Sequence, residues 1–460
     1  MTSLIVLAGG LGKRMQAALP KPLLPLAGKP MIMHVIDTAL SYHFKEICVV
    51  VPQAFSSEYR QQLKEKPVHI VEQVTQGGTG EAVALALSEV VFSGQVMIWC
   101  ADIPLITIEE IQAIDQKCDS HAINLVTFKT PSPYGMGRII RGQNQQQVCQ
   151  IVEEKDATDQ QRQIQEVYSG MMQAPASTLK ELLASCNRNN QQREILLTDI
   201  VGLAKQKSLP IHAVLLESYD SFLGINDASQ WSLIERIINR RRVESLQRQG
   251  VRIVDPNRCD IRGSVQVGFD VSLDVGVILE GEVVLGDGCR VGAYSSLKNV
   301  HLESGVEIKN HCVIEETLVQ SGAKIGPFAY CRVGNQIGSN AKVGAFVELK
   351  KTSLGNNTKA SHLSYLGDSK IGDFVNIGAG VITCNYDGQN KHATMIESHT
   401  FVGAGVELVA PIKLGKGALI GAGSTITHNV DSNALAIARV RQKVYENWTQ
   451  KQKKDENVVD

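Results

Sequence analysis

The chain has few of the features that tie a protein to a membrane, to nucleic acid or to an oxidising compartment. No apolar run approaches the ~20 residues that span a bilayer. Its 46 basic and 47 acidic residues nearly balance, so no strong field of one sign draws it to nucleic acid or lipid. Its 10 cysteines form no CxxC pair and no zinc-binding spacing, which indicates reduced thiols. We therefore predict a cytoplasmic protein with no nucleic-acid and no membrane partner.

The first seven residues also lack the charged region of a signal peptide, and we expect none. At 460 residues the chain has room for two or three domains, each large enough to bury its own core. The end of the chain, which includes Lys451, Lys453 and Lys454, is expected to be a frayed terminus.

A six-residue repeat occupies residues 267–430. Apolar residues recur six apart in three runs, often with a glycine directly after. The runs are Val267, Leu273, Leu279, Leu285, Val291 and Leu297; Ile325, Cys331, Ile337, Val343 and Leu349; and Val402, Leu408, Leu414, Ile420 and Ile426. A period of six fits neither an amphipathic helix nor an alternating strand. It predicts a β-solenoid of short strands, in which three steps make one coil and residue i lies over residue i+18.

The repeat resembles that of the hexapeptide-repeat acyltransferases, whose fold is a left-handed parallel β-helix. The left hand comes from this resemblance alone, because general rules favour right-handed crossovers. The resemblance also implies a homotrimer, with acyl-donor sites between neighbouring prisms.

The first half begins with an apolar run, residues 4–7, and a glycine-rich loop, Ala8-Gly9-Gly10-Leu11-Gly12-Lys13-Arg14. The backbone N–H groups of such a loop can cradle a phosphate, and Arg14 adds charge. A tight strand-to-helix turn is the alternative, and the spacing matches neither a Walker loop nor the dinucleotide fingerprint. Apolar strands such as residues 47–51 and 96–99 then alternate with helical stretches, which predicts an open, mostly parallel α/β sheet.

Lys21 stands between two prolines, so its segment is stiff and its charge is firmly placed. This segment and the glycine-rich loop together resemble the signature of the sugar-nucleotidyltransferases, or pyrophosphorylases. Further segments match that family in order. They are residues 72–80, 100–105, 134–139, 151–156 and 224–227.

The resemblance implies a Rossmann-like domain that binds UTP, Mg²⁺ and a sugar 1-phosphate. Asp102 follows a strand's carboxyl end, where α/β folds bind ligands, and would hold the metal together with Asn226. Arg14 and Lys21 would hold the triphosphate, and Gln73 would pair with the uracil ring. The nucleotide- and sugar-binding residues implied in this way are Leu7, Ala8, Gly9, Gly10, Arg14, Lys21, Gln73, Gly78, Thr79, Gly137, Glu153, Tyr168 and Asn226.

Three segments depart from the residues usual in this family. Gly-x-Gly-Thr-Arg becomes Gly10-Leu11-Gly12-Lys13-Arg14, and Tyr-Gly-Asp becomes Cys100-Ala101-Asp102. Asn-Thr-Gly or Asn-Ser-Gly becomes Tyr168-Ser169-Gly170. The metal pair and the cations remain, but a polar contact to sugar or ribose is missing or replaced.

Within the repeat, the polar residues that interrupt the apolar pattern are the candidates for binding and catalysis. Arg332 and Lys350 are eighteen apart and are predicted to stack on successive coils, where two cations repel unless an anion joins them. Solvated surface charges are the alternative. His362 stands beside a polar stretch, and the repeat breaks at residues 383–391, a loop too polar to form a coil. A structural histidine is the alternative there.

Both halves together resemble one family, bacterial bifunctional enzymes that acetylate glucosamine 1-phosphate and then uridylylate N-acetylglucosamine 1-phosphate. The resemblance extends to about Val440. It implies that His362 is the general base for the amine, oriented by Glu348. It implies a sugar-phosphate site of Arg332, Lys350, Tyr365, Asn376 and Lys391, and an acetyl-CoA site of Ala379, Asn385, Tyr386, Ala404, Ala422 and Arg439. Ala404 replaces the family's serine, so slower acetyl transfer is expected.

The implied substrates are acetyl-CoA, UTP, glucosamine 1-phosphate and N-acetylglucosamine 1-phosphate, and the implied products are UDP-N-acetylglucosamine and pyrophosphate, for cell-wall and lipopolysaccharide precursors. We predict a uridyltransferase domain at residues 1–226, a linker helix at 227–249 and a left-handed β-helix domain with its tail at 250–460. The helix has an apolar stripe of Trp231, Ile234, Ile237 and Ile238, and we expect Arg240-Arg241-Arg242 to form its solvated charged end and Gly250 to cap it.

Two alternatives remain at this point. One is a monofunctional pyrophosphorylase whose β-helix only oligomerises it; His362 and its polar neighbours argue against it. The other is a non-catalytic regulatory or scaffolding trimer that senses a sugar nucleotide. The intact pair Asp102 and Asn226 argues against it, because a sensor needs no metal pair.

Overall fold

The computed structural model describes residues 2–10, 12–142, 147–188, 194–217 and 219–450. It divides into two compact units, Met1–Asn239 and Arg240–Asp460. The predicted limits 1–226, 227–249 and 250–460 stay predictions, as does the frayed terminus, because Lys451, Lys453 and Lys454 lie outside the described residues. Among the helices described, none has the length and apolar character to cross a membrane.

The first unit contains an open α/β sheet. Glu166–Pro175 is antiparallel to both of its neighbours in the sheet, while the other strands of the main path pair in parallel. The main path runs through Ile211–Leu216, Ile123–Lys129, Glu166–Pro175, Gln95–Cys100, Ser3–Leu7, Ile47–Pro52 and His69–Gln73. Two antiparallel pairs complete the unit: Arg138–Arg141 with Val148–Val152, and Pro25–Leu26 with Lys29–Pro30.

Helices cover both faces of this sheet, because successive side chains in a strand point to opposite sides. Leu4 and Val6 join one buried cluster with Trp99, while Ile5 joins another with Ile98. The α-helices of the unit are Met31–Tyr42, Ser56–Gln62, Thr79–Glu89, Ile108–Lys117, Asp159–Arg162, Ala176–Leu183 and Asp199–Gln206. The short 3-10 helices are Lys13–Met15, Lys21–Leu23, Gln53–Phe55 and Asp220–Phe222. The predicted α/β class is confirmed.

The predicted linker helix is present as Ala228–Arg248. Asp227 caps its first turn by accepting the N–H of Gln230 at 2.9 Å. Gly250 follows the last turn with φ +92°, the left-handed conformation that suits a helix C-terminus. The predicted apolar stripe packs in one cluster: Ile234, Ile237 and Ile238 are buried with Leu26, Met31, Leu105, Leu223 and Ile225, and Trp231 is partly buried against them.

The prediction for the arginine triplet was wrong. Arg240, Arg241 and Arg242 lie inside the helix rather than at its end, and the last turn carries Arg248 instead. Arg242 donates a hydrogen bond to the carbonyl of Ile261 at 2.8 Å. It therefore ties the helix to the β-solenoid that follows.

The second unit is a left-handed parallel β-helix. In its described part, an eleven-stranded sheet forms one face, and a sixteen-stranded sheet splits into two further ladders. The first comprises Arg252–Ile253, Ser272–Leu273, Arg290–Val291, Glu307–Ile308, Lys324–Ile325, Lys342–Ala345, Lys359–His362, Asn376–Ile377, Phe401–Val402, Leu419–Ile420 and Leu435–Ala436. The second comprises Asp260–Val267, Ile278–Leu285, Ser296–Leu302, Val313–Glu315, Thr317–Val319, Tyr330–Cys331, Asn335–Ile337, Glu348–Lys350, Ser353–Leu354, Tyr365–Gly367, Ser369–Ile371, Ile382–Cys384, Thr394–Ile396, Glu407–Val409, Ile412–Leu414 and Thr425–Ile426.

The repeat residues form the interior of the prism, as predicted. Leu279, Leu297, Cys331 and Leu349 are fully buried and belong to one continuous cluster. Asp260 lies over Ile278, the predicted offset of eighteen, but Lys342 lies over Lys359, an offset of seventeen. This coil is shorter because the spacing of its apolar residues drops from six to five between Leu349 and Leu354, a step that the sequence shows and that one short corner can absorb. Asn376 lies over Phe401, because the polar loop adds residues to one coil without disturbing the ladder.

Candidate active sites

At the carboxyl edge of the first unit's sheet, cations meet oxygen ligands from distant parts of the chain. Lys21 Nζ lies 2.7 Å from Asp102 Oδ2 and also donates to the carbonyl of Ile225. Arg14 Nη2 donates to Asn226 Oδ1 at 3.3 Å, and the N–H of Ile225 donates to the carbonyl of Asp102 at 3.0 Å. Lys21 is only 8% exposed, so its charge depends on these partners. The structure thus brings together all four residues predicted to bind phosphate and metal.

A cavity of about 260 Å³ adjoins this cluster. Gln73 stands in its wall and donates to Glu81 Oε2 at 3.1 Å and to the carbonyl of Gly78 at 3.4 Å. A Cβ atom on Gly9 would lie 2.9 Å from Gln73 Oε1, so the loop passes Gln73 as closely as glycine allows. The predicted residues on this wall are Leu7, Gly9, Gly10, Lys21, Gln73, Gly78, Thr79 and Asp102.

This close approach makes a prediction for Gly9→Ala. The added methyl group displaces Gln73, and we expect the KM for UTP in uridylyl transfer to rise about tenfold. The matched control is Gly202→Ala, because a Cβ atom there meets nothing within 4 Å and the residue lies in the helix Asp199–Gln206. Equal KM values for the two variants would contradict the assigned role of the Gly9–Gln73 contact.

A wider cavity of about 730 Å³ shares part of its wall with the first. Burial raises the pKa of Glu153, the hydrogen bond from Thr198 at 3.3 Å opposes this, and the carboxylates of Asp156 and Asp199 raise the pKa further. The hydroxyl of Tyr168 is buried and has no hydrogen-bond partner in the described part of the chain. The predicted residues on this wall are Leu7, Arg14, Thr79, Glu153 and Tyr168.

Two predicted residues contribute through their backbone. Ala8 is 1% exposed, and its carbonyl accepts the hydroxyl of Tyr59 at 3.0 Å. The carbonyl of Gly137 accepts the N–H of Tyr168 at 2.8 Å. Neither stands among the wall residues of the two cavities.

In the second unit, Arg332 and Lys350 stack on successive coils as predicted, because Cys331 pairs in register with Leu349. Each cation has a carboxylate beside it. Arg332 Nη1 donates to Glu348 Oε1 at 3.1 Å, and Lys350 Nζ lies 4.0 Å from Asp368 Oδ2. These carboxylates offset part of the repulsion between the two cations.

The polar loop adds an amide and a third cation to this cluster. Asn385 is 6% exposed, and its Nδ2 donates to Asp368 Oδ2 at 2.5 Å and to the hydroxyl of Tyr365 at 3.5 Å. The Lys350 ammonium lowers the pKa of Lys391, while Asp368 and Tyr365 oppose that effect. Two ammonium groups this close form an attractive place for a phosphate.

His362 ends the strand Lys359–His362 and is exposed at a corner. The next residue, Leu363, has φ +48°, so the chain turns sharply there. The predicted orienting residue Glu348 is engaged by Arg332, and the hydrogen bonds of the described residues include none between Glu348 and His362. Whether Glu348 orients the ring therefore stays a prediction.

Asn376 is not beside His362 within one chain. It lies in register with Lys359, and Ala345 lies in register with His362. Lys359 and His362 are three residues apart on their strand, which corresponds to about 10 Å. Asn376, the partner of Lys359, therefore stands near the opposite edge of this face from His362.

Three predicted acetyl-CoA residues form a column of small side chains. The N–H of Gly405, directly after Ala404, donates to the carbonyl of Ala379 at 2.7 Å. The N–H of Gly423, directly after Ala422, donates to the carbonyl of Ala404 at 2.9 Å. Arg439 Nη1 donates to the carbonyl of Ala422 at 2.9 Å. The column offers methyl groups and a cation, with no hydroxyl at Ala404.

Three acidic residues of these sites escaped the sequence reasoning: Glu81, Asp368 and Asp387. Burial opposes the ionisation of Glu81, but hydrogen bonds from Gln73, Thr75 and Gly77 hold its pKa below the usual range. Glu81 lies in the first turn of the helix that follows the 72–80 segment. The position of that acid in the helix was the available signal.

Asp387 organises the polar loop. Its carboxylate accepts the N–H of Asn390 at 2.6 Å and the ring of His392 at 2.6 Å. The loop closes with an antiparallel bridge between Tyr386 and Lys391. The hydrogen bonds from Asn390 and His392 hold the pKa of Asp387 well below its usual range.

We expect Asp387→Ala to lower kcat/KM for acetyl transfer about tenfold, because residues 385 and 391 lose the turn that positions them. Uridylyl transfer should stay unchanged. Because the pKa of Asp387 is lower in the folded loop than in the unfolded chain, where it is about 3.9, the ionised carboxylate stabilises the loop at every pH above that value. This stabilisation is lost only when the pH falls through the pKa that Asp387 has in the folded loop. The wild-type loop should therefore keep its order throughout the neutral range. An unchanged acetylation rate in the variant would contradict this role.

Comparison with known proteins covers both units. The MobA-like NTP transferase domain matches residues 4–197, and the hexapeptide repeat of succinyl-transferase matches residues 394–428. The protein called bifunctional protein GlmU from Acinetobacter baylyi is 40% identical over 452 residues, 98% of this chain and 99% of the relative. Those from Stenotrophomonas maltophilia and Legionella pneumophila (strain Lens) are 42% and 41% identical over 98% of this chain, and over 98% and 99% of their own lengths.

These relatives match nearly the whole chain, so they support an enzyme with a nucleotidyltransferase half and an acetyltransferase half. The predicted bifunctional enzyme is confirmed over the monofunctional and the scaffolding alternatives. The chain belongs to the family of bifunctional GlmU proteins.

Proposed function

We propose that this enzyme acetylates glucosamine 1-phosphate with acetyl-CoA and then transfers UMP from UTP to N-acetylglucosamine 1-phosphate. The products of the second step are UDP-N-acetylglucosamine and pyrophosphate. The observation that carries the proposal is the convergence of Arg14, Lys21, Asp102 and Asn226 at one edge of the sheet. This places cations and oxygen ligands beside a glycine-lined cavity.

For uridylyl transfer, a phosphate oxygen of the sugar 1-phosphate attacks the α-phosphorus of UTP, and pyrophosphate leaves. Such chemistry depends on positioning and on neutralising charge. Lys21 and Arg14 supply the charge. Gly9, Gly10 and Gln73 stand in the wall of the cavity. The two glycines would let the backbone approach the phosphates, and Gln73 would face the base.

Mg²⁺ fits this site. The carboxylate of Asp102 and the amide oxygen of Asn226 are hard oxygen ligands, which the ion prefers. In the described residues no group of three or more His, Cys, Asp or Glu could hold a metal, so waters and substrate phosphates would complete the shell. When bound, Mg²⁺ would neutralise charge on those phosphates. Lys21 and Arg14 already approach the same two ligands and would share the phosphates with the ion.

For acetyl transfer, the amine of glucosamine 1-phosphate attacks the thioester carbonyl of acetyl-CoA. His362 takes the proton that the amine loses, since imidazole exchanges protons near neutral pH. Lys350, Lys391 and Arg332 would bind the phosphate, with Tyr365 and Asn376 on the sugar. Asn385, Tyr386 and Arg439 would contact acetyl-CoA along the column of Ala379, Ala404 and Ala422.

We extend the proposal to a cytoplasmic homotrimer. Asn376 stands near the opposite edge of the face from His362, which supports a site completed by a neighbouring prism. The exposed position of His362 agrees with this.

The direct test is a product analysis by mass spectrometry. The purified enzyme is incubated with glucosamine 1-phosphate, acetyl-CoA, UTP and Mg²⁺. Formation of UDP-N-acetylglucosamine supports both steps, and its loss on addition of EDTA, with N-acetylglucosamine 1-phosphate still formed, supports the metal. The absence of any acetylated or uridylylated product would reject the proposal.

A further inference from the structure

The carboxylate of Glu81 accepts hydrogen bonds on both of its oxygens. Oε2 accepts from Gln73 Nε2 at 3.1 Å, from the hydroxyl of Thr75 at 3.0 Å and from the N–H of Gly77 at 2.9 Å. Oε1 accepts from Arg188 Nη2 at 2.8 Å. Burial raises the pKa of Glu81, but these hydrogen bonds and the charge of Arg188 hold it below the usual range. The group is therefore ionised at neutral pH, and an ionised carboxylate can only accept.

This carboxylate allows one orientation of the Gln73 amide. Nε2 of Gln73 has two acceptors beside it, Glu81 Oε2 and the carbonyl of Gly78. Turning the amide over would set its own oxygen against both of them, and two acceptors without a hydrogen between them repel. The amide oxygen therefore points away from Glu81. It lies on the side of Gly9, where an added Cβ atom would be 2.9 Å from Gln73 Oε1.

The oxygen of this amide is an acceptor without a donor. Gln73 Oε1 has no hydrogen-bond partner among the described residues. It is not one of their enclosed polar atoms that lack a partner, so the oxygen keeps a surface that a ligand can reach. Gln73 and Gly9 both stand in the wall of the cavity of about 260 Å³. A ligand in this cavity thus meets a fixed acceptor, and an N–H group is what pairs with it.

We infer that Glu81 is a positioning residue that makes the enzyme prefer UTP to CTP. Uracil carries a hydrogen on N3, which Gln73 Oε1 can accept. N3 of cytosine is itself an acceptor and would face the same oxygen unpaired, and a polar group left unpaired in a binding site is strongly unfavourable. Glu81 acts through Gln73 and does not contact the nucleotide. The inference rests on the proposed uridylyl transfer and adds the group that makes the site choose its base.

A purely structural role is the alternative. Glu81 lies in the first turn of the helix Thr79–Glu89, where a carboxylate also stabilises the helix N-terminus. Loss of that stabilisation would lower the activities with UTP and with CTP by the same factor. The ratio of the two activities therefore separates the two roles, because a change in the amount of folded enzyme does not alter it.

The test is a competition in the full-length enzyme. UTP and CTP are supplied at equal concentration with N-acetylglucosamine 1-phosphate and Mg²⁺, and mass spectrometry of the UDP- and CDP-linked sugars gives the ratio of the two kcat/KM values. We expect wild type to prefer UTP at least ~100-fold, and Glu81→Gln to reduce this preference about tenfold.

The reason is that an amide at position 81 has one oxygen for the donors on its two sides, Gln73 and Arg188. When the oxygen serves Arg188, the NH₂ group of the new side chain faces Gln73. The Gln73 amide then turns over and offers its own NH₂ group to the base, where N3 of cytosine can accept it.

Two further variants support the reading of this result. Glu89→Gln is the matched control, because Glu89 ends the same helix, is exposed and lies outside the walls of both cavities; its product ratio should equal that of wild type. Gly77→Ala leaves the carboxylate in place chemically but displaces it, since an added Cβ atom would stand 2.1 Å from Glu81 Oε2. It should lower the preference for UTP as Glu81→Gln does.

The outcomes separate this inference from the proposed function. A wild-type enzyme that transfers no UMP to N-acetylglucosamine 1-phosphate would refute uridylyl transfer itself. An active wild type that uses UTP and CTP equally would overturn only the role of Glu81. So would a Glu81→Gln variant in which both products fall in the same proportion, because the carboxylate would then serve the fold alone.

Discussion

Asp102→Ala is expected to reduce uridylyl transfer about a thousandfold while acetyl transfer continues at its wild-type rate. The substitution removes the carboxylate that pairs with Lys21 at 2.7 Å and the stronger of the two proposed metal ligands. Lys21 is buried, and among the described residues its ammonium would keep just one partner, the carbonyl of Ile225. We expect the first unit to lose about 2 kcal/mol of unfolding free energy as well.

The control for this prediction is Asp37→Ala. Asp37 pairs with Lys29 at 2.6 Å and Lys66 at 3.2 Å, away from both cavity walls. Breaking that pair should lower the Tm and leave uridylyl transfer intact. Both rates are measured for each variant, with N-acetylglucosamine 1-phosphate supplied for the second step. If Asp102→Ala keeps more than a tenth of the wild-type uridylylation rate, its assigned role is wrong.

His362→Ala carries the second large effect. Removal of a general base typically costs 10²–10⁴ in rate, and we expect acetylation to fall about a thousandfold. Uridylylation of supplied N-acetylglucosamine 1-phosphate should not change. The residue is exposed, so its loss should barely affect stability.

The matched histidine is His311, which also stands at a corner of the solenoid. Its ring stacks between Tyr294 at 5.4 Å and Phe328 at 4.9 Å, so His311→Ala should lower the Tm and leave acetylation unchanged. A mixture of Asp102→Ala and His362→Ala should again form UDP-N-acetylglucosamine, because each supplies the step that the other lacks. If either variant loses both activities while it is still folded, the assignment of uridylylation and acetylation to two separate sites is wrong.

Much of the fold follows from local patterns in the sequence. The six-residue period predicted the buried column of Leu279, Leu297 and Leu349, because each repeat residue meets the one a coil away. The stacking of Arg332 on Lys350 followed from the same count. The shortening of one coil to seventeen residues was also visible beforehand, because the apolar spacing drops from six to five between Leu349 and Leu354 and one short corner can absorb that step.

The rest depended on contacts between distant residues. Glu166–Pro175 inserts antiparallel between two strands, and only that insertion brings Tyr168 close to Cys100. Asp368 ends the polar stretch that contains His362, but the sequence assigned it no role, because acids outside the apolar period carry no positional signal. The arginine triplet was misplaced because charge alone does not say where a helix ends; the capping Gly250 did so.

The loop between Ile382–Cys384 and Thr394–Ile396 has a further consequence. Asn376 lies over Phe401 and Ser369 over Thr394, so the ladder resumes its spacing on both sides of the insertion. The coils of this unit therefore do not depend on the loop, and the loop can change while the ladder of strands stays the same. Evolution can therefore vary the length and composition of the loop without changing how the coils above and below it fold. Such variation could change which acyl group or which acceptor the site binds.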